Sequence, residues 1–189
     1  MDYHKERFED YSLMVYKNEQ LIALLPANKK DSKIYSHQGL SYGGVVFIKD
    51  VKFKDSLESF KSILEFLKES GCQTLYINPI PQFYNSKLSD EFSYFLFILE
   101  AKLRRRDTLS VIRYSDGISL SKSRKEGVSR AQKQGLEIKE VAAFDEFWNQ
   151  LLIPNLKLKH KTKPVHSLQE ITNLKTHFPE NIRQFNVYY

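Results

Sequence analysis

The order of patterned segments predicts a mixed α/β (α+β) fold, a largely antiparallel sheet flanked by helices. Three observations carry the prediction. Apolar runs at Ser12 to Tyr16 and Leu21 to Leu25 are separated by Lys17, Asn18, Glu19 and Gln20, the pattern of a β-hairpin. From Asp55 to Ser70, residues Leu57, Phe60, Ile63, Leu64 and Leu67 recur at helical spacing and make one apolar stripe. Through residue 114 the order is strands, helix, strand, helix, strand.

In chain order, the hairpin is followed by strand-like runs at Ile34 to His37 and Gly44 to Ile48, which predict an antiparallel meander. The joining segment, His37 to Gly44, holds three of the seven glycines beside His37 and Tyr42. Glycine permits positive φ and lets backbone come close to a ligand, so the segment reads either as a binding loop or as a turn with a tyrosine packed on it. The helix over 55–70 has a capping-box pattern in Asp55 and Glu58 and a stop in Gly71. A strand over Gln73 to Ile77 must end before Pro79 and Pro81. Ser89 or Asp90 then caps a second helix whose Phe92, Phe95, Leu96 and Leu99 are packing residues. Arg104 to Asp107 is a charged bend into a strand over Thr108 to Tyr114.

Ser119 to Gly135 predicts a basic helix between two unlike halves. Leu120, Gly127, Val128 and Ala131 fall on one narrow face, and Lys122, Lys125, Ser129 and Lys133 on the other. Ser123 and Glu126 have capping-box spacing, Ser119 or Ser121 offers an earlier start, and Gly135 is a left-handed stop. Lys122, Arg124, Lys125, Arg130 and Lys133 against Glu126 give the stretch a charge of +4. Arg124 projects into the small-residue face, so it needs a buried acceptor or a bound anion unless its head group reaches out to solvent. Beyond it, Leu136 to Ala142 predicts a strand and Asp145 to Leu152 a helix disturbed at Pro154, followed by a loop rich in Lys and His. Ser167 and Glu170 again have capping-box spacing ahead of Leu168, Ile171, Leu174 and Phe178, and Pro179 closes that stripe. Asn181 to Tyr189 predicts a strand that pairs either with the 136–142 strand or with a second chain.

A net charge of +6 and an isoelectric point near 9.2 favour anionic partners, although the excess is modest for a dedicated nucleic-acid binder. Cys72 is the single cysteine, which excludes an internal disulfide framework and any multi-cysteine metal site. A reducing cytoplasm fits it, and neither a signal peptide nor a bilayer-spanning run is visible. The densest set of proton-transfer and anion-binding groups is Lys159 to Ser167, where His160 and His166, six residues apart, read either as a base and an orienting group or, for His166, as a structural residue immediately before a helix cap. Their spacing is not that of a helical metal site, and no metal is expected. Phosphate loops of the Walker and Rossmann kinds are absent, as are the nucleophile elbow and the glycine-rich pyrophosphate loop of acetyl-coenzyme-A-dependent acetyltransferases.

The stretch from Arg7 to Asp10 leading into SLMVY, LLPAN at 24–28, SHQGLSYGG at 36–44, AQKQG at 131–135 and KHKTKPVHSLQEITNL at 159–174 together resemble the Fem-type group of the GNAT acyltransferase superfamily. The resemblance runs over essentially the whole chain, and SHQGLSYGG and PVHS are its more specific parts. It implies two GNAT-like lobes, the first at 1–115 and an incomplete second one at 116–189, in what reads as part of a longer protein, inactive alone. It also implies transfer of an acyl or aminoacyl group from acyl-CoA or aminoacyl-tRNA to an amine acceptor, such as a peptidoglycan precursor at the cytoplasmic side of the membrane. In that reading His37, Tyr42, Gly43, Gly44 and Lys163 bind substrate, Lys122, Arg124, Lys125 and Arg130 hold donor phosphates, and His160 or His166 takes the amine proton. Catalysis would then rest on positioning and on polarising the acyl carbonyl. The alternative from another class is a non-catalytic module whose cations bind RNA or an anionic lipid headgroup.

Overall fold

The polar tetrad between the first two apolar runs closes as a tight hairpin, with φ of 47° at Asn18 and 66° at Glu19. Two left-handed residues in succession make a type I′ turn, whose twist matches that of the strands it joins. The computed structural model describes residues 6–87 and 89–189 and divides into two units, Met1–Asp107 and Thr108–Tyr189. The fold is α+β, with antiparallel pairing dominant.

Unit 1 contains β1 (Glu9–Asp10), β2 (Leu13–Lys17), β3 (Gln20–Leu25), β4 (Asn28–Lys30), β5 (Lys33–Tyr35) and β6 (Val46–Phe47). They are followed by α1 (Phe53–Glu69), β7 (Thr74–Tyr76), a 3-10 turn over Gln82–Tyr84 and α2 (Glu91–Ile98). Two sheets form, β2-β3-β6 and β1-β4-β5-β7, and only β5 with β7 is parallel. The expected single meander is therefore corrected: β6 returns to β3, whereas β5 folds back on β4 through a short turn in which Asp31 takes φ 56°. A parallel neighbour requires a crossover, and α1 supplies it.

The apolar stripe of α1 is the inner wall of the core. Phe60, Ile63 and Leu67 are buried against Leu25, Ile34 and Phe95, and Leu25 and Phe95 are fully enclosed. Each such side chain contributes about 1.5–3 kcal/mol relative to exposure. Phe60 meets Phe92 edge-on at 5.1 Å and Phe95 at 6.1 Å, so the aromatics of α2 pack as their spacing predicts. The expected capping box of α1 does not form. The helix starts two residues before Asp55, with Lys52 as an N-cap that makes no side-chain bond. Within the first turn of the helix, the Asp55 carboxylate is drawn to Lys17 of β2 instead. Gly71, at φ 76°, follows the end as expected.

Unit 2 contains α3 (Lys122–Lys133), β8 (Glu137–Val141), α4 (Ile153–Asn155) lying between π-helical stretches Phe147–Leu152 and Leu156–His160, α5 (Leu168–His177) and β9 (Gln184–Tyr188). β8 and β9 form an antiparallel ribbon with Glu137 opposite Tyr188 and Val141 opposite Gln184, the first of the two expected pairings. Thr108 to Tyr114 forms no strand; this segment is exposed and leads into a 3-10 turn over Tyr114–Asp116. Its alternation is strand-like, but a strand needs a partner edge, and none of the described strands pairs with it. Nor does Pro154 end the helix: helical backbone continues to His160, and Lys161 then turns left-handed at φ 49°. The wider π turns on either side shift the acceptor register around the residue that has no N–H, so the Lys- and His-rich loop begins later than the sequence implies.

Glu19 is a non-glycine residue held left-handed, a conformation that costs about 1–2 kcal/mol. Glu19→Gly should therefore raise the stability of unit 1 by about 0.5–1 kcal/mol in chemical denaturation, once the extra entropy of unfolded glycine is offset. A loss of stability would contradict the type I′ assignment.

Candidate functional site

The segment 36–44 is fastened by backbone to the end of β7 and to the chain just beyond it. The Ser36 N–H donates to the Tyr76 carbonyl at 2.8 Å, and the Gly43 N–H donates to the Asn78 carbonyl at 2.7 Å. Ser36 Oγ accepts from the Asn78 N–H at 2.9 Å, while the Asn78 amide donates to the Ser41 carbonyl. On the other side the Gln38 N–H donates to Asn28 Oδ1 at 2.7 Å, and Asn28 Nδ2 returns a bond to Gln38 Oε1 at 3.0 Å. This exchange explains why Asn28, a polar side chain, is 1% exposed. Gly43 is required by closeness: a Cβ there would lie 2.0 Å from the Ser36 carbonyl oxygen. Gly44 is required by conformation, with φ 96°.

His37 is 2% exposed and left-handed at φ 59°. Its Nδ1 accepts from the Gly39 N–H at 3.1 Å, and its ring stands edge-on to Phe8 at 5.5 Å. With Nδ1 an acceptor, the ring carries its proton on Nε2. Of the substrate-binding residues expected in unit 1, His37, Gly43 and Gly44 are thus buried together, and Tyr42 is the partly exposed one, 6.0 Å from Tyr84.

In unit 2, α3 opens at Ser121, whose hydroxyl meets that of Ser123 at 3.2 Å and makes no cap bond. The Ser123–Glu126 capping box is not formed because Ser123 lies inside the helix. Gly135, at φ 77°, ends it, and the Leu136 N–H reaches the Ala131 carbonyl at 3.1 Å. Gly127 and Ala131 are half-buried, but Leu120 and Val128 stay exposed, so the packing face is narrower than the spacing implies. Arg124 corrects the expectation of a buried acceptor: it is exposed and makes no ion pair among the described residues. The same holds for Lys122, Lys125, Arg130 and Lys133. Twelve residues extend about 18 Å, so α3 carries along that length, on more than one face, cations that make no ion pair among the described residues.

The histidines expected to act together have different settings. His160 is exposed at the end of the second π turn, beside Lys157 and Lys159. His166 is half-buried, and its carbonyl accepts the Trp148 indole N–H at 3.3 Å. The next residue, Ser167, forms the expected capping box: its hydroxyl accepts from the Glu170 N–H at 3.2 Å, and Glu170 Oε2 accepts from the Ser167 N–H at 2.7 Å. Lys163 is exposed in the segment between the two histidines.

The sequence reading missed a polar network in unit 2. Tyr188 donates its hydroxyl to Glu146 Oε2 at 2.5 Å. Asn186, 8% exposed, bonds Glu146 at 3.3 Å and Tyr188 at 3.1 Å, and Gln184 donates to Asn186 at 2.7 Å. Gln184, Asn186 and Tyr188 alternate along β9, and that period of two is the signal that could have placed them on one face. Among the described residues no three His, Cys, Asp or Glu side chains gather to hold a metal ion, and no helix is long and apolar enough to cross a membrane. Comparison with protein-family models, with curated proteins and with solved structures yields no match.

Two predictions follow from these contacts. Gly43→Ala should destabilise unit 1 by about 3 kcal/mol or more, since backbone would have to move to admit the methyl group; a melt unchanged within about 0.5 kcal/mol would contradict the close approach. In unit 2 the Arg183 guanidinium, bonded at 2.8 and 2.7 Å, holds the Glu140 carboxyl below its ordinary 4.5. A depressed carboxyl stabilises the fold above its unfolded value and loses that contribution as pH falls through the lower folded value. The melting temperature of unit 2, followed by its single tryptophan, Trp148, should drop with acid in the wild type and drop less in Glu140→Gln. Identical acid dependence would contradict the linkage.

Proposed function

We propose that unit 2 binds a polyanion along α3, and that the polyanion is RNA, the charged tRNA of an aminoacyl transfer to an amine. The observation that supports this most directly is the set of five exposed cations on α3 without ion-pair partners among the described residues. Unit 2 carries thirteen Lys and Arg against eight Asp and Glu over residues 108–189, so +5 of the net +6 belongs to it. Cations spread over a helix suit a backbone of regularly spaced phosphates, and each contact releases counterions. The compact diphosphate of acyl-CoA asks instead for converging backbone N–H groups at a glycine-rich helix start. The start of α3 has no glycine between Ile118 and Glu126.

The transfer step rests on the resemblance to Fem-type proteins. In this reading Lys122, Arg124, Lys125 and Arg130 hold the donor, His160 is the exposed imidazole that accepts the amine proton, and Lys163 meets the acceptor. The same surface without transfer would be an RNA-binding module.

Binding of labelled tRNA should weaken about 10²-fold between about 50 and 200 mM salt if some four phosphates are contacted. Arg124→Glu with Lys125→Glu should cost tenfold or more and flatten the salt slope by about two charges. Movement of a labelled aminoacyl group from charged tRNA to an amine acceptor supports the transferase reading. Binding with no transfer leaves the module, and salt-independent binding contradicts both.

A further inference from the structure

Away from the segment 36–44 and outside unit 2, unit 1 has a recess of about 190 Å³ between the β4–β5 turn and the C-terminal end of α1. Ile34 and Tyr11 supply the apolar part of its lining. Two opposite charges stand on its wall two residues apart, Lys29 and Asp31, and neither makes an ion pair among the described residues. Lys29 Nζ lies over the Tyr11 ring at 5.2 Å, and Asp31 sits at the turn with φ 56°. Ser70 and Gly71, immediately after α1, belong to the same lining and lie at the carbonyl end of that helix. The negative end of the helix and the Asp31 carboxylate both favour a cation, and Lys29 favours an anion.

We propose that this recess binds a free α-amino acid with a small apolar side chain. The ammonium group meets Asp31 and the end of α1, the carboxylate meets Lys29, and the side chain rests on Ile34. A lone anion would face Asp31 and a lone amine would face Lys29, so a zwitterion is the species whose two charges are both matched. The volume corresponds to about six liquid waters, which admits alanine or valine and excludes a nucleotide. The proposal stands on unit 1 alone and is independent of anion binding by unit 2.

Cys72, half-buried on the wall of the recess and the single cysteine of the chain, is a built-in reporter. On the full chain, L-alanine should slow alkylation of Cys72 by N-ethylmaleimide in a saturable way, about threefold or more at about 10 mM, as mass action gives for a Kd in the millimolar range. N-acetylalanine, lacking the ammonium, and alanine amide, lacking the carboxylate, should give no protection at that concentration. Asp31→Asn keeps a residue that accepts the left-handed turn, and Lys29→Met keeps the stem over Tyr11, so both should fold and both should abolish protection. Shifts of the Gly71 amide in the same titrations give a second reading that does not depend on the thiol. Absence of both protection and amide shifts up to about 50 mM, equal protection by N-acetylalanine, or protection surviving in both variants would each overturn the proposal.

Discussion

The parallel pairing of β5 with β7 is the constraint on which unit 1 depends. Lys33, Ile34 and Tyr35 lie beside Thr74, Leu75 and Tyr76, and α1 must cross the sheet between the two strands. The crossover presses Phe60, Ile63 and Leu67 onto Ile34 and Leu25 and makes the core. The same pairing brings the chain after β5 alongside the chain after β7, so that Ser36 bonds Tyr76 and Gly43 bonds Asn78. The lack of room for a Cβ at Gly43 and the burial of His37 and Asn28 follow from that proximity.

Unit 2 is built on weaker terms. A two-stranded ribbon is marginal by itself, and here it is fixed by hydrogen bonds from Gln184, Asn186 and Tyr188 toward Glu146 and by the fork of Arg183 on Glu140. Among the described residues the ion pairs of this unit join Arg113 to Asp116, Lys139 to Glu137 and Arg183 to Glu140, and α3 enters none of them. Exposed pairs of this kind contribute little to stability, so the fold loses little by leaving the α3 cations unmatched. Five like charges on one short helix repel one another, and an anionic partner of the kind proposed would relieve that repulsion.

Local chemistry made much of this legible in the sequence. The hairpin at Lys17–Gln20, the stripe of α1, the aromatic packing of α2 and the Ser167–Glu170 capping box each depend on residues close together in the chain, and each is found. The errors arose where a distant partner decides. Asp55 is taken by Lys17, thirty-eight residues away, and so does not cap. Thr108 to Tyr114 has the alternation of a strand but no partner among the described strands, and β5 pairs with β7 where the meander expected the strand over 44–48. Arg124 projects toward the small-residue face by angle alone, yet Val128 and Leu120 on that face remain exposed, so nothing encloses the guanidinium. Of the candidate site residues, Gly43 and Gly44 were marked by their composition, and the structure attaches a distance to one and a φ to the other. The recess by Lys29 and Asp31 had no sequence signal, because it joins a turn to a helix end about forty residues later.

The central claim, that the cations left unused by the fold are the binding surface, is tested most directly by hydrogen–deuterium exchange of the full chain with and without tRNA at low salt. The account predicts slowed exchange across Lys122–Lys133, reversed by raising the salt. Slowing confined to unit 1, with the amides of α3 unchanged, would contradict it.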